Sequence, residues 1–290
     1  MVHLGCPSAG SSFKLGTGMS YAGSDDASSS PYTIEPMHAR LWWMAIALFA
    51  APVISFAQTD EIQVYDAAIA ETGTFNLMVH NNFTPDGRKT PAFAGGVESD
   101  GALVGVAEWA YGVTDWFEQG LYLPLYSFSR NDGATFNGLK VRELFVKPHA
   151  ADSRFFYGVN FEFSVNQKQW DPRRFTSEIR PIVGWRLRPV DIIVNPIVDT
   201  SYTGGLKSLD FAPAVRVAYN FTKKWSAAAE EYADYGPLRQ LYPAHEQSHQ
   251  IWVVMDHASK VLNVEAGVGL GLTSASDKVT LKLMLSRDLN

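Results

Sequence analysis

Cysteine is almost absent from this chain, since Cys6 is the only one among 290 residues. A disulfide framework, a cysteine metal site and a cysteine nucleophile are therefore excluded from everything downstream of it. Basic residues are also scarce, with 24 Lys and Arg against 30 Asp and Glu, and this balance argues against nucleic acid as a partner. After residue 57 the sequence has no apolar run long enough for a transmembrane helix. If that part crosses a membrane, it must do so as a closed β-barrel.

The one long apolar run covers residues 41–56 and follows His38 and Arg40. Ser55 and Ala57 stand at the −3 and −1 positions of a cleavage site, so residues 37–57 are predicted to be a secretory signal peptide. The alternative, a membrane helix, is disfavoured by the short length and by Pro52. Residues 1–36, rich in Ser, Gly and Ala, are predicted to be a disordered leader that is not part of the real protein.

Beyond the leader, apolar residues alternate with polar or small ones. Between residues 261 and 272, for example, Leu, Val and Ala alternate with Asn, Glu and Gly, and strand side chains point to opposite faces with this period of two. Twelve such runs are predicted to be strands, each about ten residues long, which suits a tilted strand in a bilayer. They are 74–83, 102–113, 117–127, 138–147, 154–164, 176–188, 190–200, 208–221, 225–235, 248–257, 261–272 and 279–288.

The connections between these runs alternate in length. Short turns alternate with longer polar loops, residues 128–137 among the latter, and both ends of the strand series fall on the short side. This layout predicts an all-β fold over residues 74–290, a transmembrane up-and-down antiparallel β-barrel of about twelve strands, rather than a soluble sandwich. The runs 138–147 and 225–235 are less regular because Arg142 and Glu143, and Glu230 and Glu231, fall on opposite faces, so a bulge or a shifted boundary is expected in each.

If the apolar faces meet lipid, the polar faces line the lumen. The charged candidates for that lining are His80, Glu108, Glu118, Glu162, Glu178, Arg180, Arg186, Asp210, Arg216, Glu265 and Lys282. Charges in such a place must be paired or hydrated, so the lumen is either a polar path for small solutes or a self-neutralising network that fills the barrel. Aromatic residues near the short-turn ends predict a girdle at the membrane interface: Trp109, Tyr111, Trp116, Trp185, Tyr219 and Trp225.

Residues 111–124, the glycines at 267, 269 and 271 and the carboxyl-terminal residues 282–289 carry a family resemblance. They resemble bacterial outer-membrane barrels, in particular the transporter-like group named for a MetA pathway of phenol degradation. The resemblance implies a narrow passive channel in the outer membrane of a Gram-negative bacterium, taking small solutes that include hydrophobic or aromatic ones. It also implies outer-membrane lipids and the barrel-assembly machinery as partners. This sequence departs from such barrels in ending on Asn290 rather than on an aromatic residue.

Two questions stay open. Residues 58–73 precede the first strand and are expected to lie either on the periplasmic side or in the barrel as a plug. His245-Glu-Gln-Ser-His249 matches the zinc-protease pattern, but prolines before it and a strand after it leave no room for the helix that this chemistry needs. No catalytic residue, metal or cofactor is therefore expected, and the protein is predicted not to be an enzyme. The alternatives are an outer-membrane lipid hydrolase using His80 or His249, and a closed structural barrel.

Overall fold

The computed structural model describes residues 61–202 and 209–290, so the predicted leader and signal peptide lie outside the described residues. Twelve strands follow one another along the chain, and two of them are interrupted at a proline. Their bounds are β1 Phe75–Asp86, β2 Leu103–Gly112, β3 Phe117–Ser129, β4 Gly133–Val146, β5 Phe155–Asn166, β6 Phe175–Arg186, β7 Val190–Asn195 with Val198–Ser201, β8 Asp210–Phe211 with Ala214–Asn220, β9 Trp225–Asp234, β10 Ser248–His257, β11 Asn263–Gly271 and β12 Val279–Asp288.

Each strand pairs antiparallel with its neighbour in sequence, and β1 pairs with β12 from Asn76↔Asp288 onward, which closes the sheet into a twelve-stranded barrel. The predicted all-β antiparallel barrel is thus confirmed. At the seam, the Asn290 side chain accepts a hydrogen bond from the Phe75 amide at 2.7 Å and donates one to the Gly73 carbonyl at 3.0 Å. The Asn290 side chain therefore takes part in the closure of this barrel.

The loops alternate in length as predicted except between β3 and β6. The β4–β5 connection, predicted to be short, has eight residues (147–154), as many as the β5–β6 connection (167–174). The β3–β4 connection is not a long loop over residues 128–137, because β3 runs to Ser129 and β4 begins at Gly133, which leaves three residues between them. The register of this pair shifts where Leu125 meets Gly138, whose φ of +139° is a conformation that side-chain-bearing residues avoid. The irregularity expected in this strand is therefore a register shift at Gly138.

The irregularity predicted in β9 is absent. This strand pairs with β8 and with β10 without a register shift. Glu230 is buried on the inner face and Glu231 is exposed on the outer face, so the two neighbouring carboxylates follow from ordinary strand alternation. Two other strands, β7 and β8, are interrupted, because Pro196 and Pro213 have no backbone N–H to donate to the hydrogen-bond ladder of the sheet.

The outer wall of the barrel is apolar. Exposed large hydrophobic side chains occupy alternate positions of the strands, for example Phe163, Val217, Val253, Val268 and Leu283. Their strand neighbours on the inner face are buried, and many of those are charged. Within residues 61–202 and 209–290, no helix combines the length and the apolar character needed to cross a bilayer.

The lumen as candidate functional site

The segment before β1 turns into the barrel. Thr72 bridges Gly112 at the end of β2, and the Gly73 amide donates to the Gly112 carbonyl at 2.8 Å. A side chain at Gly112 would collide with the carbonyls of Ala70 and Glu71, since a Cβ there would lie 2.4 and 2.2 Å from them. From this point residues 61–70 run along the inner faces of the strands, so this part of the predicted 58–73 segment lies in the lumen.

Hydrogen bonds from side chains of the barrel wall hold residues 61–70, which we call the inner segment. The Tyr65 amide donates to Asn195 Oδ1 at 2.7 Å, and Asn195 Nδ2 donates to the Tyr65 carbonyl at 3.0 Å. Arg180 donates to the Gln63 carbonyl at 3.0 Å, and the Ala70 amide donates to Glu118 Oε2 at 2.6 Å. Side chains of the wall therefore satisfy backbone groups of a segment that has no strand partner of its own.

Apolar contacts complete the packing. Val64, Tyr65 and Ala67 form a buried cluster with inner-face residues of β4–β8, namely Leu144, Val146, Phe156, Ile182, Ile193 and Ala214. The inner face is therefore not uniformly polar, because its short-turn half carries an apolar patch that the inner segment covers. The Tyr65 hydroxyl lies 2.6 Å from that of Tyr122, and burial raises the pKa of the Tyr65 phenol well above its usual value, so it remains neutral.

One ion-pair network joins β1 to β4. The Arg142 guanidinium lies 2.9 Å from Glu108 Oε1 and also pairs with Glu118, while His80 Nε2 lies 3.0 Å from Glu108 Oε2. All four side chains are almost fully buried. A buried guanidinium facing two carboxylates meets the requirement that charges taken out of water be paired.

A second network lies on the opposite strands. Lys282 Nζ is 2.6 Å from both Glu230 Oε2 and Glu265 Oε1, and it also donates to the Ile62 carbonyl at 3.1 Å. Arg216 pairs with Glu230 and Asp256 and lies 3.5 Å from Glu265. The two cations and three carboxylates thus link β8 to β12 and reach the inner segment through one backbone carbonyl.

The structure places every charged lumen candidate on the inner face. His80, Glu108 and Glu118 share the first network, and Arg216, Glu265 and Lys282 share the second. The others have separate partners: Glu162 with Lys140, Glu178 with Arg180, Arg186 with Asp66, and Asp210 with Arg173.

Sequence reasoning missed Arg142 and Glu230, which hold the two networks together. Strand alternation could have assigned both to the inner face, because Arg142 lies two residues after the inner residue Lys140 and Glu230 two residues after the inner residue Ala228. It was obscured because each is followed by a glutamate on the outer face, Glu143 and Glu231. Tyr65 was missed because the pattern of residues 58–73 left their position open.

The long-loop half of the lumen contains a cavity of about 280 Å³, called the vestibule below. Among the described residues that line it, eight carboxylates face four cationic side chains. The carboxylates are Glu61, Glu162, Asp171, Glu178, Asp199, Asp210, Asp234 and Asp277, and the cations are Arg88, Lys140, Arg173 and Arg180. Glu178, Asp199 and Asp210 stand in register on neighbouring strands β6, β7 and β8. The lining of the vestibule therefore contains twice as many carboxyl groups as cationic groups.

The aromatic candidates for the girdle lie on the outer face near the short turns. Trp109, Trp116, Trp185, Tyr219 and Trp225 are exposed, and Tyr111 is half-buried against Phe75, with ring centroids 4.5 Å apart. The Trp109 indole donates to the Leu123 carbonyl at 2.9 Å. Such amphipathic rings suit the headgroup level of a membrane.

The histidines proposed for catalysis are engaged elsewhere. His245 and Glu246 lie in the loop before β10, and His249 is the second residue of that strand, so the zinc-protease pattern does not form a helix. The two ring nitrogens of His249 face Glu231 at 3.3 Å and Gln247 at 3.2 Å, while the Ser248 hydroxyl pairs with Ser276. This arrangement does not align a serine with a histidine base.

No protein-family model and no curated protein matches this sequence. Among solved structures, the chain is similar to an outer membrane channel from Pseudomonas putida F1, with a TM-score of 0.56 and 12% identity, over 79% of this chain and 100% of that one. It is also similar to the KdgM porin, with a TM-score of 0.49 and 9% identity, over 74% and 99% of the two chains. At these identities the likeness concerns the fold alone, and the Pseudomonas channel shares the barrel architecture. The narrower resemblance to the phenol-degradation group stays a prediction.

Proposed function

We propose that this protein is a passive channel for small solutes in a bacterial outer membrane. The observation that carries the proposal is the closed barrel with an apolar outer wall and a charged lumen that widens into the vestibule of about 280 Å³. A lipid-facing apolar band around a polar interior is the arrangement of outer-membrane barrels. Export by the predicted signal peptide supports the same location.

The inner segment obstructs the path of a solute through the lumen. It fills the short-turn half of the lumen and is held there by hydrogen bonds at Tyr65 and Ala70 and by the apolar cluster around Val64. A solute that has entered the vestibule therefore meets this segment before it reaches the other side. We infer that passage requires the segment to move, and that any path beside it is narrow.

The solute class has two sources of support. The family resemblance implies small hydrophobic or aromatic solutes, and Val97, Val104 and Trp170 provide apolar side chains in the lining of the vestibule. The excess of carboxylates supports solutes that carry a positive charge. Small molecules joining an apolar body to a cationic group satisfy both.

Channel activity is tested with the purified protein in planar bilayers and in liposome-swelling assays. We expect low conductance for the wild type and a clear increase when residues 61–70 are deleted, with Gln240→Leu at an exposed position of the β9–β10 loop as a neutral control. Heat-modifiable migration in gels verifies that each variant forms a barrel.

The second candidate function is a closed structural barrel. It is favoured by the ion pairs that cross the lumen at Arg180, Arg216 and Lys282, together with the inner segment. If neither the wild type nor the deletion variant conducts ions or admits solutes, the structural role replaces the channel.

A further inference from the structure

Three side chains that can ligate a metal converge in the lumen. Glu61 comes from the inner segment, His80 from β1 and Glu108 from β2, and one ligand atom from each lies within 4.8 Å of the other two. All three residues are buried, with relative exposures of 4%, 0% and 3%. An imidazole nitrogen with two carboxylate oxygens is a donor set that divalent first-row metals accept.

Glu61 supplies an independent sign of a ligand. Neither of its carboxylate oxygens accepts a hydrogen bond from the described part of the chain. Arg180 Nη2 forms an ion pair with Oε1 at 3.1 Å, but the geometry is not that of a hydrogen bond. A buried carboxylate accepts several hydrogen bonds in most folded proteins, because leaving its oxygens unsatisfied is unfavourable. A metal ion at the convergence point would satisfy them.

The surrounding charges orient the other ligands. Arg142 lies 2.9 Å from Glu108 Oε1, which leaves Oε2 facing His80 Nε2 at 3.0 Å. A partner on the far oxygen of a ligating carboxylate is the usual second layer of a metal site. The immediate ionised groups carry a net charge of −2, which a divalent cation would balance; they are Glu61, Glu108, Glu118, Glu178, Arg142 and Arg180.

We propose that Glu61, His80 and Glu108 form a binding site for a divalent transition metal of the zinc class. The metal takes one oxygen from each glutamate and Nε2 of the neutral His80 ring, so the ring proton moves from Nε2 to Nδ1 when the metal binds. Three protein ligands leave a fourth position for water or for a group on the vestibule side, which Glu61 also lines. Because Glu61 belongs to the inner segment, the metal fastens that segment to the wall. This inference does not rest on the proposed channel function.

Zinc binding to the purified full-length protein in detergent, measured by competition with a chromophoric chelator, tests the site. We expect one Zn²⁺ per chain, and at least roughly tenfold weaker binding in Glu61→Gln and in His80→Gln, since each removes one ligand. His249→Gln, which changes a histidine beside Glu231 on the outer side, serves as the matched control and should bind as tightly as the wild type. Co²⁺ should give a visible absorption band in the wild type that both ligand variants lack.

Three results would overturn the proposal. They are no stoichiometric Zn²⁺ in the wild type, unchanged affinity in Glu61→Gln, or loss of binding in His249→Gln. Glu61 lies outside the strands, so its variant tests the site even if His80→Gln fails to assemble a barrel.

Discussion

The Asn195 side chain forms two hydrogen bonds with the backbone of Tyr65, as a neighbouring strand would in a sheet. The amide of Tyr65 donates to Asn195 Oδ1 at 2.7 Å, and its carbonyl accepts from Asn195 Nδ2 at 3.0 Å. The two residues lie 130 positions apart in the chain, and both are buried. An asparagine on the wall thus satisfies the backbone amide and carbonyl of Tyr65 in the segment that fills the lumen.

Replacing Asn195 should release the inner segment. Asn195→Leu keeps the volume but leaves a buried amide and a buried carbonyl of Tyr65 unpaired, at a cost of about 1–3 kcal/mol for each. The population of the displaced segment should rise roughly tenfold or more. Chymotryptic cleavage after Tyr65, followed by mass spectrometry, measures this population. Gln240→Leu in the exposed β9–β10 loop should leave the cleavage rate unchanged, and equal rates in both variants would show that Asn195 does not hold the inner segment.

Replacing Lys282 is predicted to lower the free energy of unfolding more than replacing any other cationic residue of the lumen. Its Nζ lies 2.6 Å from Glu230 and 2.6 Å from Glu265, and its side chain is fully buried. Lys282→Met leaves Glu230 buried without this partner, and breaking a buried ion pair typically costs about 3–5 kcal/mol. Unfolding by urea in lipid vesicles should show a loss of this size. Lys278→Met removes an exposed pair with Asp86 at 3.7 Å and should change stability by less than about 1 kcal/mol.

A loss for Lys282→Met no larger than that for Lys278→Met would show that the second network does not stabilise the barrel. Adding Glu230→Gln to Lys282→Met should recover part of the loss, since Arg216 then faces two carboxylates, Asp256 and Glu265, instead of three.

The vestibule should favour cations. Its lining has eight carboxylates against four cationic groups among the described residues, and a rim of one charge attracts the opposite ion. The variant lacking residues 61–70 loses Glu61 but keeps seven carboxylates against four cationic groups. Reversal potentials across a salt gradient, measured on this variant so that current is large, should indicate cation preference. Asp171→Asn with Asp277→Asn, both in the lining, should move the preference toward neutrality, whereas Asp132→Asn in the exposed β3–β4 turn should not. An anion preference in the parent channel would contradict this account of the vestibule.

Side-chain alternation in the sequence predicted the bounds of several strands. β10 and β12 begin and end where the sequence pattern predicts, at Ser248–His257 and Val279–Asp288, because apolar outer residues alternate regularly with inner residues through the middle of each strand. The extension of β4 back to Gly133 was missed because Gly133 and Gly138 carry no side chain to mark a face.

The site was less predictable than the fold. Inner-face charges such as Arg180 and Lys282 could be assigned from alternation, but their partners could not, since pairing depends on which strands meet across the lumen. The position of Glu61 beside His80 and Glu108 depends on the inner segment entering the barrel, and its short sequence carries too few alternating residues to indicate that.

The central claim is that the outer apolar face meets lipid, and two valines with the same exposure test it most directly. Val253 in the middle of β10 and Val261 in the short β10–β11 turn each have a relative exposure of 70%. In lipid vesicles, Val253→Arg should lower the free energy of unfolding by about 2–4 kcal/mol, because it places a charge near the bilayer midplane. Val261→Arg lies outside the apolar band and should change it by no more than about 0.5 kcal/mol. Equal and negligible effects of both substitutions, as expected for a barrel surrounded by water, would contradict the account.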